Sequence, residues 1–398
     1  MKPLRITLTA ATAAVLAAGV ALVGTGTAEA GERTTLQRDA DALLKYGTPG
    51  VLVGVDTPGR DIKVRSGLGD VSARTPVPWN AKFRIGSFTK TFVAATVLQL
   101  VGEGKLSLDD PVERWLPGVV NANGNDGRAI TVRQLLQHTS GLNEYLMDMP
   151  WLFSEQGFRD KRFTTVTAEE AVALAVQHPP LFPPGAGWEY SNTNYALAGM
   201  IIQKVTGRTW FDEVRERIIE PFGLKDTSAP YTESRIPRPH AVGYERFPGE
   251  GATEEDPKYG EFVDVTEQNP SWGGAAGAMV STLDDGNRFL RLLLSGRVLK
   301  PAQLEEMRAT VTPSEEFREN WPGARYGLGL VFVPNSCGGS WSHGGDVIGF
   351  QTRNGVTPDG RRSVMVSFNT HSFEPDEGVT PPRTDKSMEL IDHALCSH

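Results

Sequence analysis

Three short stretches carry residue types that could do chemistry. In Ser87-Phe88-Thr89-Lys90 a hydroxyl and an amine stand three positions apart. On a helix, i and i+3 share a face, so the amine can approach Ser87 Oγ. A serine hydroxyl is a poor nucleophile at neutral pH and needs a base beside it. Lysine serves as that base only when burial or a positive neighbour lowers its pKa. By itself the pattern is also an ordinary helix start, a capping serine with a surface lysine. In Tyr190-Ser191-Asn192, behind the turn-forming Pro183-Pro184-Gly185, a phenol near an ammonium could ionise in part and act as a base. The Asn192 amide could bond a substrate carbonyl, or simply cap the helix that follows. In His343-Gly344-Gly345-Asp346 the glycines would let a substrate backbone lie along a strand edge, and a main-chain N–H there could help hold an oxyanion. The plain alternative is a core histidine on a tight bend.

The elements that must position these residues follow from hydrophobic periodicity. Gly50–Val55 and Ile62–Val64 read as strands joined by the Pro58-Gly59 turn. Phe83-Arg84-Ile85 is a short strand running into Gly86-Ser87, and Thr91–Glu103 is a helix apolar on most sides. Helical stretches at Val132–Gln137, Ala168–Gln177, Tyr195–Lys204 and Trp210–Ile219 alternate with Pro- and Gly-rich loops. The stretch from about Tyr231 to Pro270 is polar and irregular. Strands return at Gly327–Val333, Phe350–Gly355 and Arg362–Asn369, and a last helix is expected over Thr384–Leu395. Strands at both ends and helices between them predict an α+β fold. One antiparallel sheet comes from both chain ends and is flanked by the first and last helices. The α/β lobe would take about 31–125 and 271–398, and a mostly helical lobe about 126–270. A cleft between two such lobes is where a substrate would sit.

Composition narrows the classes. Forty Lys+Arg against 48 Asp+Glu give a net charge of −8 with no basic block. That excludes a nucleic-acid binder, which needs cations to replace phosphate counterions. The first thirty residues have the grammar of a secretory signal peptide: Lys2 and Arg5, an uncharged run from Ile6 to Gly24, then Ala28-Glu29-Ala30 as a cleavage site. The expectation is cleavage near Ala30 and a secreted protein, extracellular or cell-wall associated, with no stable membrane anchor. In that oxidising setting an even number of cysteines favours a Cys337–Cys396 bridge over two buried thiols. The bridge would pin the last helix to a strand edge. No H-E-x-x-H or paired-ligand spacing calls for a metal, no cofactor is implied, and G-x-S-x-G is absent.

Taken together and in this order, the motifs resemble the serine β-lactamases and penicillin-recognising D-alanyl-D-alanine peptidases, in the branch with S-x-x-K, Y-x-N and H-x-G. The resemblance also includes Leu135-Leu136-Gln137-His138-Thr139-Ser140-Gly141-Leu142, Pro221-Phe222-Gly223-Leu224 and Ala276-Gly277-Ala278-Met279-Val280-Ser281-Thr282, and so covers most of the chain beyond residue 30. It implies a β-lactamase-like fold with Ser87 as the acylated nucleophile and Lys90 and Tyr190 sharing the proton transfers. Asn192 would orient the substrate amide. His343 takes the place of a lysine and would hold the polar network near Tyr190. The N–H groups of Ser87 and Asp346 would form the oxyanion hole, Gly345 would leave room for the substrate, and Trp272 would line the pocket. His138 is expected to be structural. The cysteines are similar to the bridge of secreted D-alanyl-D-alanine carboxypeptidases. The implied activity is a secreted serine acyl hydrolase, in the first instance a carboxypeptidase that acts on peptidoglycan peptides and binds penicillin.

One departure bears on the substrate. Close carboxypeptidase relatives carry a basic run after Tyr326-Gly327-Leu328-Gly329-Leu330, where this chain has Val331-Phe332-Val333-Pro334. They also carry threonines where this chain has Gly344 and Asp346. An anionic Asp346 would repel a free carboxylate. Arg325 either substitutes for the missing cations or caps the surface of a strand. A small peptide, an ester or a β-lactam remains a candidate substrate, so an esterase, a D-amino-acid amidase or aminopeptidase, and a β-lactamase stand as alternatives. Intact Ser87, Lys90 and Tyr190 speak against a non-catalytic binding module.

Overall fold

A computed structural model describes residues 30–249, 251–253 and 257–396. The expected export segment, apart from Ala30, lies outside the described residues. Helix α1 (30–43) opens the described chain. Strands follow as β1 (Gly50–Thr57), β2 (Arg60–Gly67), β3 (Phe83–Arg84), β4 (Tyr244–Glu245), β5 (Val263–Asp264) and β6 (Val280–Ser281). The C-terminal part supplies β7 (Arg325–Tyr326), β8 (Val331–Val333), β9 (Ser340–Ser342), β10 (Gly345–Val347), β11 (Phe350–Val356) and β12 (Ser363–Phe368). Helix α2 (Thr89–Gly102) follows β3 after one turn.

Both chain ends build one antiparallel sheet, in the order β2-β1-β12-β11-β9-β8-β7, with β10 paired to β11 off that path. Its register places Val53 opposite both Val64 and Val366. Val51, Val53, Val55, Val364, Val366 and Phe368 share one face and pack under α1 and the final helix (Met388–Cys396). Leu52 and Met365 belong to the other face and join the core around α2 and the helix Leu283–Leu294. Because alternation has period two, a slip of one residue would turn both faces inside out. Helix α2 is buried from Thr89 through Leu98, so it is a central strut rather than an amphipathic cover. The fold is β-lactamase-like, α+β, as the motifs implied.

The helical stretch forms as read, with local reasons for its ends. Thr131 and Gln134 make a reciprocal capping box at Val132–Gln137, and Thr167 with Glu170 repeats it at Ala168–Ala175. The helix expected at Trp210–Ile219 runs α-helical over Trp210–Val214 and continues as one π-helical turn, Arg215–Ile219. The irregular 231–270 region contains the β4–β5 pair. It is tied down by buried Arg84, whose Nη2 donates to Ser234 O, Gln268 O and Thr266 O at 2.7, 3.0 and 3.3 Å.

Two of these expectations are corrected by the strand and helix bounds. Of the strand expected over Gly327–Val333 only Val331–Val333 (β8) forms; residues 327–330 turn the chain back from β7, which precedes them at Arg325–Tyr326. Gly329 has φ +66°, and a Cβ there would lie 2.7 Å from Tyr195 Oη and 3.0 Å from Lys90 O, so the Gly-Leu-Gly turn is pressed against α2. The last helix begins at Met388, since Asp385 is drawn into an ion pair with Arg353 at 2.6 Å. The helices at 30–43, Leu283–Leu294, Pro301–Arg308 and Glu315–Asn320 had no counterpart in the reading of the sequence. Cys337 and Cys396 are bonded, with Cα atoms 5.5 Å apart. The bond joins the last helix to the turn between β8 and β9. Among the described residues no helix is long and apolar enough to cross a membrane.

Candidate active site

Ser87 lies in a single 3-10 turn, Gly86–Phe88, between β3 and α2. Strand β10 runs hard against it. A Cβ on Gly345 would lie 1.9 Å from Ile85 O and 2.8 Å from Ser87 N, and one on Gly86, where φ is +50°, would lie 2.8 Å from Asp346 N. Glycine at both positions is what lets the main chains of Ser87 and Asp346 come together.

One helical turn on, Lys90 Nζ donates to Ser87 Oγ at 2.9 Å, Asn192 Oδ1 at 2.7 Å and Ala276 O at 2.9 Å. Burial pushes this amine down to about 7, against the opposing pull of the Glu144 and Asp346 carboxylates. A substantial fraction is therefore neutral at neutral pH, as a general base must be.

Tyr190 lines the cavity with Ser87, and Lys90 Nζ lies 4.8 Å from the Tyr190 ring centroid. Burial raises the Tyr190 pKa, and Glu144 and Asp346 push the same way, outweighing the opposing influence of the Ser87 hydroxyl. The phenol stays protonated. The expected partial ionisation is overturned, because losing water costs the phenolate more than its polar neighbours return.

His343 does not bond Tyr190. Its Nε2 lies 2.8 Å from Tyr326 Oη, and His138 Nε2 lies 3.1 Å from the same oxygen. Donor and acceptor chemistry fixes both tautomers. Ser191 N–H donates to His138 Nδ1 (3.2 Å), so His138 carries its proton on Nε2. His343 Nδ1 faces Gly344 O at 2.8 Å, so its proton is on Nδ1 and Nε2 accepts from Tyr326. The chain therefore runs His138 Nε2–H to Tyr326 Oη–H to His343 Nε2. Burial pushes His343 down to about 3 and His138 well below its ordinary value, which keeps both rings neutral. His343 thus reaches the nucleophile only through ring packing, 6.4 Å centroid to centroid from Tyr190.

Asn192 is the first residue of the helix Asn192–Thr206. Its Nδ2 and its main-chain N–H both donate to Glu144 Oε2, at 2.8 and 2.7 Å. Glu144 was not singled out in the sequence. Burial raises its pKa against these bonds. Nothing in its local pattern marks it, since it matters only because the chain folds back onto residue 192.

Asp346 is the other surprise. Its carboxylate is gripped by Arg353 (Nη2 to Oδ1, 3.0 Å; Nη1 to Oδ2, 3.2 Å) and by Gln351 Nε2 (2.6 Å). Burial acts to raise its pKa, but Arg353 prevails and holds it down at about 2. Arg325 projects elsewhere, with Nε on Thr310 Oγ1 at 2.9 Å, so it caps a strand surface and does not serve the pocket.

Ser87, Tyr190, Asn192, Trp272, His343 and Asp346 all line one cavity of about 450 Å³. Trp272 is held from behind, its carbonyl accepting from Tyr145 Oη. The remaining lining is largely apolar, with Leu146, Leu152, Phe317, Trp321 and Val347 prominent. Glu189 and Glu316 add negative charge, and among the described residues Arg353, His343 and His371 are the basic side chains in the lining. Also among the described residues, no three His, Cys, Asp or Glu side chains converge as a metal site requires. A hydroxyl, a neutral amine, a protonated phenol and two nearby main-chain amides equip the cavity for acyl transfer.

Comparison with known proteins agrees. Residues 29–387 match the family described as Beta-lactamase. A D-stereospecific amidohydrolase from Streptomyces superposes with a TM-score of 0.81 at 39% identity, over 92% of this chain and 99% of its own. A D-amino acid amidase from Ochrobactrum anthropi, solved with L-phenylalanine amide, gives a TM-score of 0.76 at 29% identity, over 92% and 98%. Penicillin-binding protein 4 of Amycolatopsis lactamdurans is 29% identical over 69% of each chain. The chain belongs to the Beta-lactamase family and is a serine hydrolase of it.

Proposed function

We propose that the protein hydrolyses amide bonds of D-amino acid derivatives, such as D-amino acid amides and short peptides of D-residues, through an acyl-enzyme on Ser87. Neutral Lys90 Nζ takes the Ser87 proton as Oγ attacks the carbonyl carbon. The oxyanion forms against the N–H groups of Ser87 and Asp346. The Tyr190 hydroxyl passes its proton to the departing nitrogen and is reprotonated from the Lys90 ammonium. The amine leaves, water attacks the Ser87 ester, and the same groups run in reverse to release the acid.

The observation that carries the substrate assignment is the state of Arg353. Among the described residues, the one guanidinium lining the cavity is already committed to Asp346 and to Asp385. Among the described residues, His343 is held neutral and His371 faces Glu245 at 3.6 Å, so the lining leaves no unpaired cation for the terminal carboxylate of a D-alanyl-D-alanine peptide, while Glu189 and Glu316 disfavour a free acid and favour an amine-bearing substrate. The likeness to a D-stereospecific amidohydrolase and a D-amino acid amidase supports this reading over the carboxypeptidase one. The apolar lining suits an aromatic or aliphatic side chain.

The test is a substrate panel with purified protein: D-phenylalanine amide, its L-isomer, D-phenylalanine methyl ester and free-acid D-alanyl-D-alanine. The D-amide should turn over faster than both its L-isomer and the free acid. Mass spectrometry should find an acyl adduct on Ser87 that is absent in Ser87→Ala. Faster hydrolysis of the free acid would restore the carboxypeptidase reading. The signal grammar of residues 1–30 supports action outside the cell membrane, and N-terminal sequencing of exported protein should begin near Gly31.

A further inference from the structure

Strand β10 carries one of the two oxyanion amides, yet it is three residues long and its ladder partner is β11. A strand so short needs a second anchor to hold an amide in place against a reacting atom. The anchor here is built from side chains. Gln351, opposite Asp346 in the ladder, and Arg353 both bond the Asp346 carboxylate.

Each of these two holders is itself held from one C-terminal segment. Arg353 Nε donates to Asp385 Oδ2 at 2.6 Å, and Lys386 Nζ donates to Gln351 Oε1 at 2.8 Å. Asp385 in turn accepts from Ser387 N at 2.9 Å and Ser387 Oγ at 2.5 Å, and its own N–H donates to Asn320 O at 3.0 Å. The side chains of Arg353 and Asp385 are 9% and 6% exposed. The Lys386 ammonium sits 3.2 Å from the centroid of Phe373. The helix that follows is bonded at Cys396 to Cys337. Residues 385–387 thus stand between a covalently fixed helix and the strand facing the nucleophile.

We infer that Asp385 and Lys386 are positioning residues for acylation. Through Arg353 and Gln351 they orient Asp346, and so aim its main-chain N–H at the oxyanion formed on Ser87. The inference rests on the acyl-enzyme reading above. A guanidinium is a planar fork, so pinning Nε on Asp385 fixes the plane in which Nη1 and Nη2 meet Asp346. The Asp346 amide is only two bonds from the Cβ that this cradle immobilises. Misplacement by about 1 Å at a reacting centre can cost about 100-fold in rate.

The experiment uses the full chain and D-phenylalanine p-nitroanilide as chromogenic amide. Asp385→Asn should lower kcat by about 10- to 100-fold and leave KM within about twofold, since the effect falls on the transition state. Lys386→Met, which leaves no buried charge unpaired, should lower kcat in the same direction by a smaller factor, again at unchanged KM. In an Asp346→Ala background Asp385→Asn should cost less than about twofold, because the link it serves is already cut. Active-site titration of each variant normalises for any unfolded fraction. Wild-type kcat in both single variants, or a loss at Asp385 that adds in full to that of Asp346→Ala, overturns the brace. If wild-type protein leaves no acyl group on Ser87, the acyl-enzyme reading fails instead.

Discussion

The side-chain amide of Asn192 bridges Lys90 and Glu144, its oxygen 2.7 Å from the lysine Nζ and its nitrogen 2.8 Å from the glutamate Oε2. A neutral group thus couples a buried amine to a buried carboxylate. Burial lowers the Lys90 pKa to about 7, and the negative charge of Glu144 opposes that fall. Removing the charge leaves burial less opposed, so Glu144→Gln should lower the Lys90 pKa further. The acidic limb of kcat/KM, expected near pH 7 in the wild type, should move to lower pH by about one unit. A pH–rate profile reads this directly, and a shift to higher pH contradicts the assignment of Lys90 as base.

Tyr190→Phe separates the two candidate bases. The phenol is protonated in the folded protein, so its proposed work is proton relay to the leaving group. The variant should lose about 100- to 10,000-fold in kcat while the acidic limb near pH 7 stays where it was. Loss of that limb would move the base from Lys90 to Tyr190.

Asp346→Thr addresses specificity. Removing the carboxylate frees two guanidinium N–H groups of Arg353 that now hold it. A substrate carboxylate could then take their place. The ratio of kcat/KM for free-acid D-alanyl-D-alanine to that for D-phenylalanine amide should rise at least about tenfold, a shift of 1.4 kcal/mol. An unchanged ratio would mean that the pocket's preference does not depend on Arg353 being occupied.

Tyr326→Phe tests the chain that joins the two imidazoles. It strands the His138 Nε2–H and the His343 Nε2 lone pair, both buried. The loss should be about 1–3 kcal/mol of stability, read as a lower urea midpoint with an unchanged slope. Activity per folded molecule should fall less than in Tyr190→Phe, because the Tyr326 hydroxyl bonds the two imidazoles and not Ser87.

Much of the site was legible where chemistry is local. Ser87 and Lys90 meet because three residues make almost one turn of helix, and an apolar helix foretold the burial that tunes the amine. The strands read at Gly50–Val55, Ile62–Val64 and Arg362–Asn369 announced a sheet from both chain ends. Less legible were features that depend on two segments meeting. The Gly327–Val333 run looks continuous until the close approach of Gly329 to Tyr195 and Lys90 is known. The ionisation of Tyr190 went the other way from expectation, since burial depends on everything packed around a ring and not on the motif that carries it.

The sequence by itself determined that Ser87 and Lys90 meet, because spacing within one helical turn sets it, and it carried the order of the three motifs, which is read directly along the chain. Only the tertiary structure decided that Glu144 stands behind Asn192, that Tyr326 rather than Tyr190 receives His343, and that Asp346 is bound by Arg353 under Asp385. Such pairings join residues far apart along the chain, and their charge states follow from the water each side chain loses when those segments close over it.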